Sequence, residues 1–214
     1  MPAIIDHDKR RRDVADIAAT LIAQSGIEAL TIRGVARVAG FSTAIVSHYF
    51  KSKRELLLFI YQHVGDRGRV SRRPPGPLTS ESLCLMIEDS LIGGRSRENW
   101  RVWFAFWGIA ASDQEFAREQ WNQMRKSRAL IEERLRIGLG ISDDEAKRVA
   151  RLFLTMMMGL AMEICFDAEN GLSDEEVRPL VSEAIAVLFP TLAKPRLIPT
   201  LDDTHSPCYR AGRA

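Results

Sequence analysis

Four times along this chain a serine is followed three residues later by a glutamate at the head of a run with helical apolar spacing: Ser52/Glu55, Ser112/Glu115, Ser142/Glu145 and Ser173/Glu176. In such a pair the serine oxygen accepts a first-turn N–H and the glutamate returns to the serine's own N–H. Two donors that a helix start leaves unpaired are thereby satisfied together. The pairs predict helices over about 53–66, 113–138, 143–169 and 174–189. A further helix runs from about Lys9 to Ser25 and stops at Gly26, a residue suited to a left-handed cap. Helices over about 80–92 and 98–111 complete the count outside residues 31–50. No alternating pattern lasts long enough for a strand, so the expected fold is all-α with about nine helices.

The segment SRRPPGPLTS (71–80), with three prolines and a glycine, marks a break. It divides the chain into an N-terminal unit at 1–70 and a helical body at 78–192, followed by a polar, proline-punctuated tail at 193–214 expected to be flexible. The net charge of +2 conceals an asymmetry: residues 1–73 hold 13 Lys and Arg against 7 Asp and Glu, and the remainder holds 17 against 21. A basic first third on an acidic body fits a module that meets a polyanion, or a chance distribution of surface charge. No stretch approaches the roughly 20 apolar residues of a membrane helix, and the charged start MPAIIDHDKRRRD has no apolar run behind it. Cys84, Cys165 and Cys208 have no paired spacing, which argues against a disulfide framework. A cytoplasmic location is expected.

Residues 31–50 read TIRGVARVAGFSTAIVSHYF. Ile32, Val35, Ala36 and Ala39 fall on one face of a short helix, and Gly40 follows with the freedom to turn the chain at positive φ. Ser42 then caps a second helix carrying Ile45, Val46, Tyr49 and Phe50. Two short helices about a glycine turn fit a DNA-binding helix-turn-helix, and equally an ordinary helical hairpin.

The flanking residues make the stretch more specific. Gly26 ends the helix ahead of the motif, Thr31 opens it, Ala36, Ala39, Gly40 and Ser42 form the turn, and His48-Tyr49-Phe50 leads through Lys51-Ser52-Lys53 to Leu56. Over roughly residues 9–60 this resembles the TetR family of bacterial regulators. The likeness extends to the family's BetI-type, choline-responsive repressors through STAIVSHYF (42–50) and NWRVWFAFW (99–107). The resemblance implies that Thr31, Ser42, Tyr49 and Lys53 bond backbone phosphates, with Gly40 and Lys51 in the same surface. It also implies that Arg33, Thr43, Ala44 and His48 face base edges. Ser47 stands where most relatives have tyrosine. Lys9, Arg10, Arg11 and Arg12 are either flanking phosphate contacts or a solvated charge run.

The same resemblance implies a homodimer, formed through helices 143–169 and 174–189, that reads a palindromic operator on double-stranded DNA. A small-molecule effector in the C-terminal domain would release it, as from a repressor. Trp100, Trp103, Phe104 and Trp107 share one helical face, which fits either a pocket wall or ordinary core. Met124, Met158, Met162 and Phe166 are further candidates for that wall, with Glu163 and Asp167 to balance a cation such as choline. Small residues Gly159 and Ala161 would let dimer helices approach.

An enzyme is the competing class. Yet His7, His48, His63 and His205 have no metal-ligand spacing, and the chain lacks a phosphate loop or nucleophile elbow. Acidic pairs such as Glu132/Glu133 are routine on helices. No catalytic residue, metal or cofactor is expected. A helical adaptor that has lost DNA binding, hinted at by Ser47, is the other alternative.

Overall fold

The computed structural model describes residues 7–71, 78–166 and 171–190. They form α1 (His7–Ser25), α2 (Ile32–Ala39), α3 (Thr43–Tyr49), α4 (Lys53–Ser71), α5 (Ser80–Leu91), α6 (Gly94–Ala110), α7 (Gln114–Leu139), α8 (Asp143–Phe166) and α9 (Asp174–Leu188), with no strand among the described residues. The tail expected at 193–214, Asp167, Cys208, His205 and most of the 71–80 break lie outside them.

The capping pairs fare unequally. Ser173 and Glu176 form the full reciprocal box, with Ser173 Oγ accepting from Glu176 N at 3.3 Å and Glu176 Oε2 accepting from Ser173 N at 2.9 Å. Ser52 and Ser142 accept from the N–H groups of Glu55 and Glu145 at 3.1 and 3.3 Å, while the Glu55 carboxylate accepts instead from Lys51 N. The Ser112/Glu115 expectation is corrected: Asp113 caps α7, its Oδ1 accepting from Glu115 N and Phe116 N at 2.9 and 3.2 Å. A carboxylate one residue nearer the helix outcompetes a hydroxyl for its donors, and the Glu115 side chain is drawn away to Arg54. Thr79 and Ser82 make a box that the Ser-x-x-Glu pattern passes over. Gly26 and Gly40 take φ values of +78° and +68°, as the turn geometry demanded.

Two apolar clusters form. The first is built on α1, which buries Val14, Ala15, Ala18, Ala19 and Ile22, and on Leu30, Val35, Val46, Phe50, Leu56, Ile60 and Tyr61. It is completed from beyond the break, by Val102 and Phe106 of α6 and Phe116 of α7. The second unites α5 through α9 around Ile87, Leu91, Leu135, Phe153, Met157, Val177, Val181 and Ile185. One window of α8 is long and apolar enough to pass for a membrane span, contrary to the sequence expectation; its buried face, including Val149, Phe153, Leu154, Met157 and Ile164, belongs to this cluster.

α4 packs against α7 at Gly65. A Cβ there would fall on the Gln123 side-chain amide, well inside van der Waals contact. Gln123 is fully buried and held on both sides, its Nε2 donating to Glu119 and its Oε1 accepting from Arg69 Nη1 at 2.7 Å. It cannot yield without breaking a buried bond. Gly65→Ala is therefore expected to destabilise the fold by about 1–3 kcal/mol despite alanine's higher helix propensity. In a Gln123→Ala background the same change should become neutral or stabilising, and a double-mutant cycle by denaturant unfolding checks this.

Candidate nucleic-acid interface and effector cleft

The motif's local geometry follows from its caps. Thr31 precedes α2 in extended conformation and accepts from Gly34 N at 2.9 Å, and Ser42 does the same for Ile45 N at 3.3 Å. In both, the hydroxyl oxygen is used and the proton is left to donate outward. Gly40 closes α2, its N–H reaching Ala36 and Arg37 carbonyls. Val46 and Phe50 are buried, so α3 is rotated with Thr43, Ala44, Ser47 and His48 toward solvent on one face.

Around this face Thr31, Arg33, Gly40, Ser42 and Lys51 are exposed, and Tyr49 and Lys53 are half-buried. All eleven sequence-selected residues are thus exposed or half-buried, and none is in the core. Two of them are tethered: Lys53 Nζ donates to the Glu28 carbonyl at 3.4 Å, and Lys51 N donates to Glu55. His7, not selected from sequence, joins them. Its ring lies 6.2 Å from His48 and 5.8 Å from Tyr49, and those two lie 5.4 Å apart. No local signal links residues so distant in the chain.

The basic cluster divides. Arg12 is exposed and Lys9 is paired with Asp13. Arg11 turns inward, its guanidinium 5.0 and 4.6 Å from the Phe50 and Phe59 ring centres and 3.4 Å from Glu55 Oε1. It braces α1 against α4 through cation–π contact.

The aromatic stripe of α6 divides too. Trp100 is buried in the second cluster and donates to the Ser90 carbonyl at 2.8 Å. Trp103 meets Tyr61 edge-on at 5.1 Å, and burial pushes that Tyr61 phenol up, keeping it neutral. Phe104 contacts Trp100, Trp107 and Phe166 at 5.8, 5.2 and 4.8 Å. Met124 and Met158 are half-buried, whereas Met162, Glu163 and Phe166 are exposed on α8. Ala161 faces its own core, while Gly159 is exposed.

A separate cleft opens where α4, α5, α7 and α8 converge, with about 20 Å³ of free volume. Met86, Leu130, Ile131, Phe153 and Met157 form its apolar wall; Ser90, Ser127, Arg69 and Arg134 supply the polar groups. None of the nine residues selected from sequence lines it. Periodicity carries no information on which apolar positions of a helix leave a gap.

α4 is also fastened at its start. Arg54 donates from Nη1 and Nη2 to Asp113 at 2.8 and 2.7 Å and from Nε to Glu115 at 2.6 Å. Asp16 of α1 accepts from Arg67 and lies 2.9 Å from His63 Nε2, and Arg67 continues to Asn99 of α6. Burial pushes both the Cys84 and Cys165 thiols up, away from a reactive thiolate.

A helix-turn-helix carried on a helical body is the arrangement of a transcriptional regulator. The profile of the bacterial regulatory proteins of the tetR family matches residues 15–60, and that of the BetI-type transcriptional repressor C-terminal region matches residues 80–190, just over half of the chain. The chain belongs to the TetR family, in its BetI-type branch. It is 32% identical to the regulator PksA of Bacillus subtilis over 115 residues, covering 51% of this chain and 56% of that protein. It is 26% identical to the regulator BetI of Serratia proteamaculans over 170 residues, covering 75% and 83%. A transcriptional regulator from Rhodococcus sp. Rha1 superposes with a TM-score of 0.73 at 23% identity, covering 85% of this chain and 96% of that one. A regulator from Saccharomonospora viridis, solved in complex with choline, superposes at 0.68 and 22% identity, covering 83% and 96%.

The Arg54 clamp has a pH signature. The Arg54 hydrogen bond holds the Asp113 carboxyl down to about 2, aided by the N–H groups of Phe116 and Glu115 and opposed by partial desolvation. A carboxyl depressed on folding contributes stability above its ordinary value near 3.8 and loses it as pH falls through about 2. Asp113→Asn keeps a capping oxygen but loses the charge. Its deficit in Tm against the wild type is expected to be constant from neutral pH to about 4 and to close toward pH 2, as followed by thermal unfolding across that range.

Proposed function

We propose that this regulator is a repressor that binds a palindromic operator as a homodimer and is released by a small-molecule effector held in its C-terminal helices. The observation that carries the DNA reading is the exposure of Thr43, Ala44, Ser47 and His48 on α3, together with that of Thr31, Ser42 and Lys51 and the partial exposure of Tyr49 and Lys53. Hydroxyls, a phenol and ammoniums at the rim suit phosphates, and the polar residues of α3 suit base edges. Arg33 adds a guanidinium to that face. On this reading residues 1–70 are the DNA-binding domain and 78–192 the effector-binding and dimerisation domain, working in the bacterial cytoplasm.

The dimer reading draws on α8 and α9. Leu152, Met162 and Phe166 of α8 and Leu180 and Val187 of α9 are large apolar side chains left 39–79% exposed. Pairing two copies there would cover them, and places Met162 and Phe166 at the interface more readily than in a pocket. Two recognition helices about 34 Å apart would then read successive major grooves.

A quaternary ammonium such as choline is supported by the choline complex of the Saccharomonospora viridis protein.

Selection of genomic fragments by the purified protein is expected to enrich a palindrome. Affinity for it should fall on the order of a thousandfold between about 50 and 200 mM salt, because phosphate contacts release counterions. Salt-insensitive or absent capture would favour an adaptor. On the selected site, Tyr49→Ala should weaken operator and scrambled duplex by similar factors. His48→Ala should instead reduce the preference between them by about 1–3 kcal/mol, as read by competition titration.

A further inference from the structure

We infer that His7 is a further DNA-contacting residue of this regulator, set against a backbone phosphate beside Tyr49, and that it makes DNA affinity rise as pH falls. The inference rests on the DNA-binding reading above and adds a contact to it from α1. His7 is the exposed first residue of that helix. Its ring meets His48 at 6.2 Å and 52° and Tyr49 at 5.8 Å and 59°, and those two meet edge-on at 5.4 Å. All three separations lie in the range of aromatic contact, which restricts where the imidazole can go before DNA arrives. On this reading Tyr49 is a phosphate contact and His48 a base contact. A third ring packed beside both stands at the edge of the same duplex. Among the described residues neither imidazole has a hydrogen-bond partner, so their N–H groups are open to a ligand.

Three of the cations that follow His7 on α1 are engaged with the protein itself. Lys9 pairs with Asp13, and the Arg10 guanidinium lies 5.7 Å from the Phe41 ring centre. Arg11 stacks on Phe50 and Phe59 and pairs with Glu55, whose carboxylate also accepts from Lys51 N. The other charged groups on the adjoining segments, Asp8 and Arg12 of α1 and Lys51 after α3, are exposed. An imidazole gains its charge between pH 5 and 8 and then donates from both nitrogens. A phosphate oxygen is negative and only accepts, so it favours the charged form. Binding thereby takes up protons, and by linkage the affinity increases on acidification. The added contact also releases a counterion, which steepens the salt dependence.

The test follows binding of the full-length protein to the selected operator duplex and to a scrambled duplex by fluorescence anisotropy. It compares about pH 8 with about pH 5.5, over about 50–200 mM salt. The wild type is expected to bind both duplexes about five- to tenfold more tightly at the lower pH, with a salt slope steeper by about one phosphate. His7→Gln keeps a polar side chain but cannot take the proton; it is expected to lose both changes and to match the wild type at the higher pH. His7→Lys, charged at both, is expected to hold the tighter affinity throughout, an outcome that a merely structural histidine would not produce. His48→Gln in parallel assigns the proton. A pH response that survives His7→Gln and vanishes in His48→Gln overturns the proposal, as does wild-type affinity that does not change with pH, whether or not any variant folds. Capture of neither duplex at either pH would remove the DNA-binding reading itself. Capture at the higher pH without a His7-dependent gain at the lower removes this inference alone.

Discussion

The passage of α4 against α7 at Gly65 is one of the contacts that join the motif to the body, beside the packing of α6 in the core around α1. A glycine lets the backbones close onto a fully buried glutamine, and Gln123 fills the space with an amide satisfied from both helices. The same pair of helices is tied at the start of α4 by Arg54 to Asp113 and Glu115, and midway by Gln62 to Glu119. Three polar ties along one helix, each with defined geometry, hold α4 against α7.

The aromatic helix α6 is the second structural constraint. Its residues face two directions: Val102 and Phe106 complete the core around α1, while Trp100 enters the core around α8. Trp103 packs against both. Large rings are well suited to this service, because each buries much area and has few rotamers to lose. The cost is that these rings are spent on packing, which leaves the gap in the body to less conspicuous residues. The N-terminal unit consequently has no complete core of its own, and its stability is shared with the C-terminal helices.

Electrostatics divides the labour. The face around α3 presents cationic and hydroxyl groups to solvent, where a polyanion can reach them. Inside the body the charge of Arg69 is taken up by Asp66, and its guanidinium also donates to the buried Gln123. Arg11 shows that positive charge in the sequence does not by itself mean nucleic-acid contact: stacked on Phe50 and Phe59, it serves as a brace.

By itself the sequence determined the all-helical fold, the turn at Gly40 and the outward face of α3. These depend on spacing within a few residues: caps three apart, apolar positions three and four apart, and a glycine where φ must be positive. The family was legible for the same reason, since its motif is contiguous. Asp113 displaced Ser112 as a cap because the adjacent carboxylate outcompetes the hydroxyl for the first-turn donors, a competition that the Ser-x-x-Glu pattern leaves out. The placement of His7 beside His48, the fastening of Arg54, the burial of Gln123 and the lining of the cleft were decided only by tertiary structure. Each joins residues dozens of positions apart, and which apolar positions touch and which leave a gap depends on how whole helices pack rather than on any helix's own periodicity.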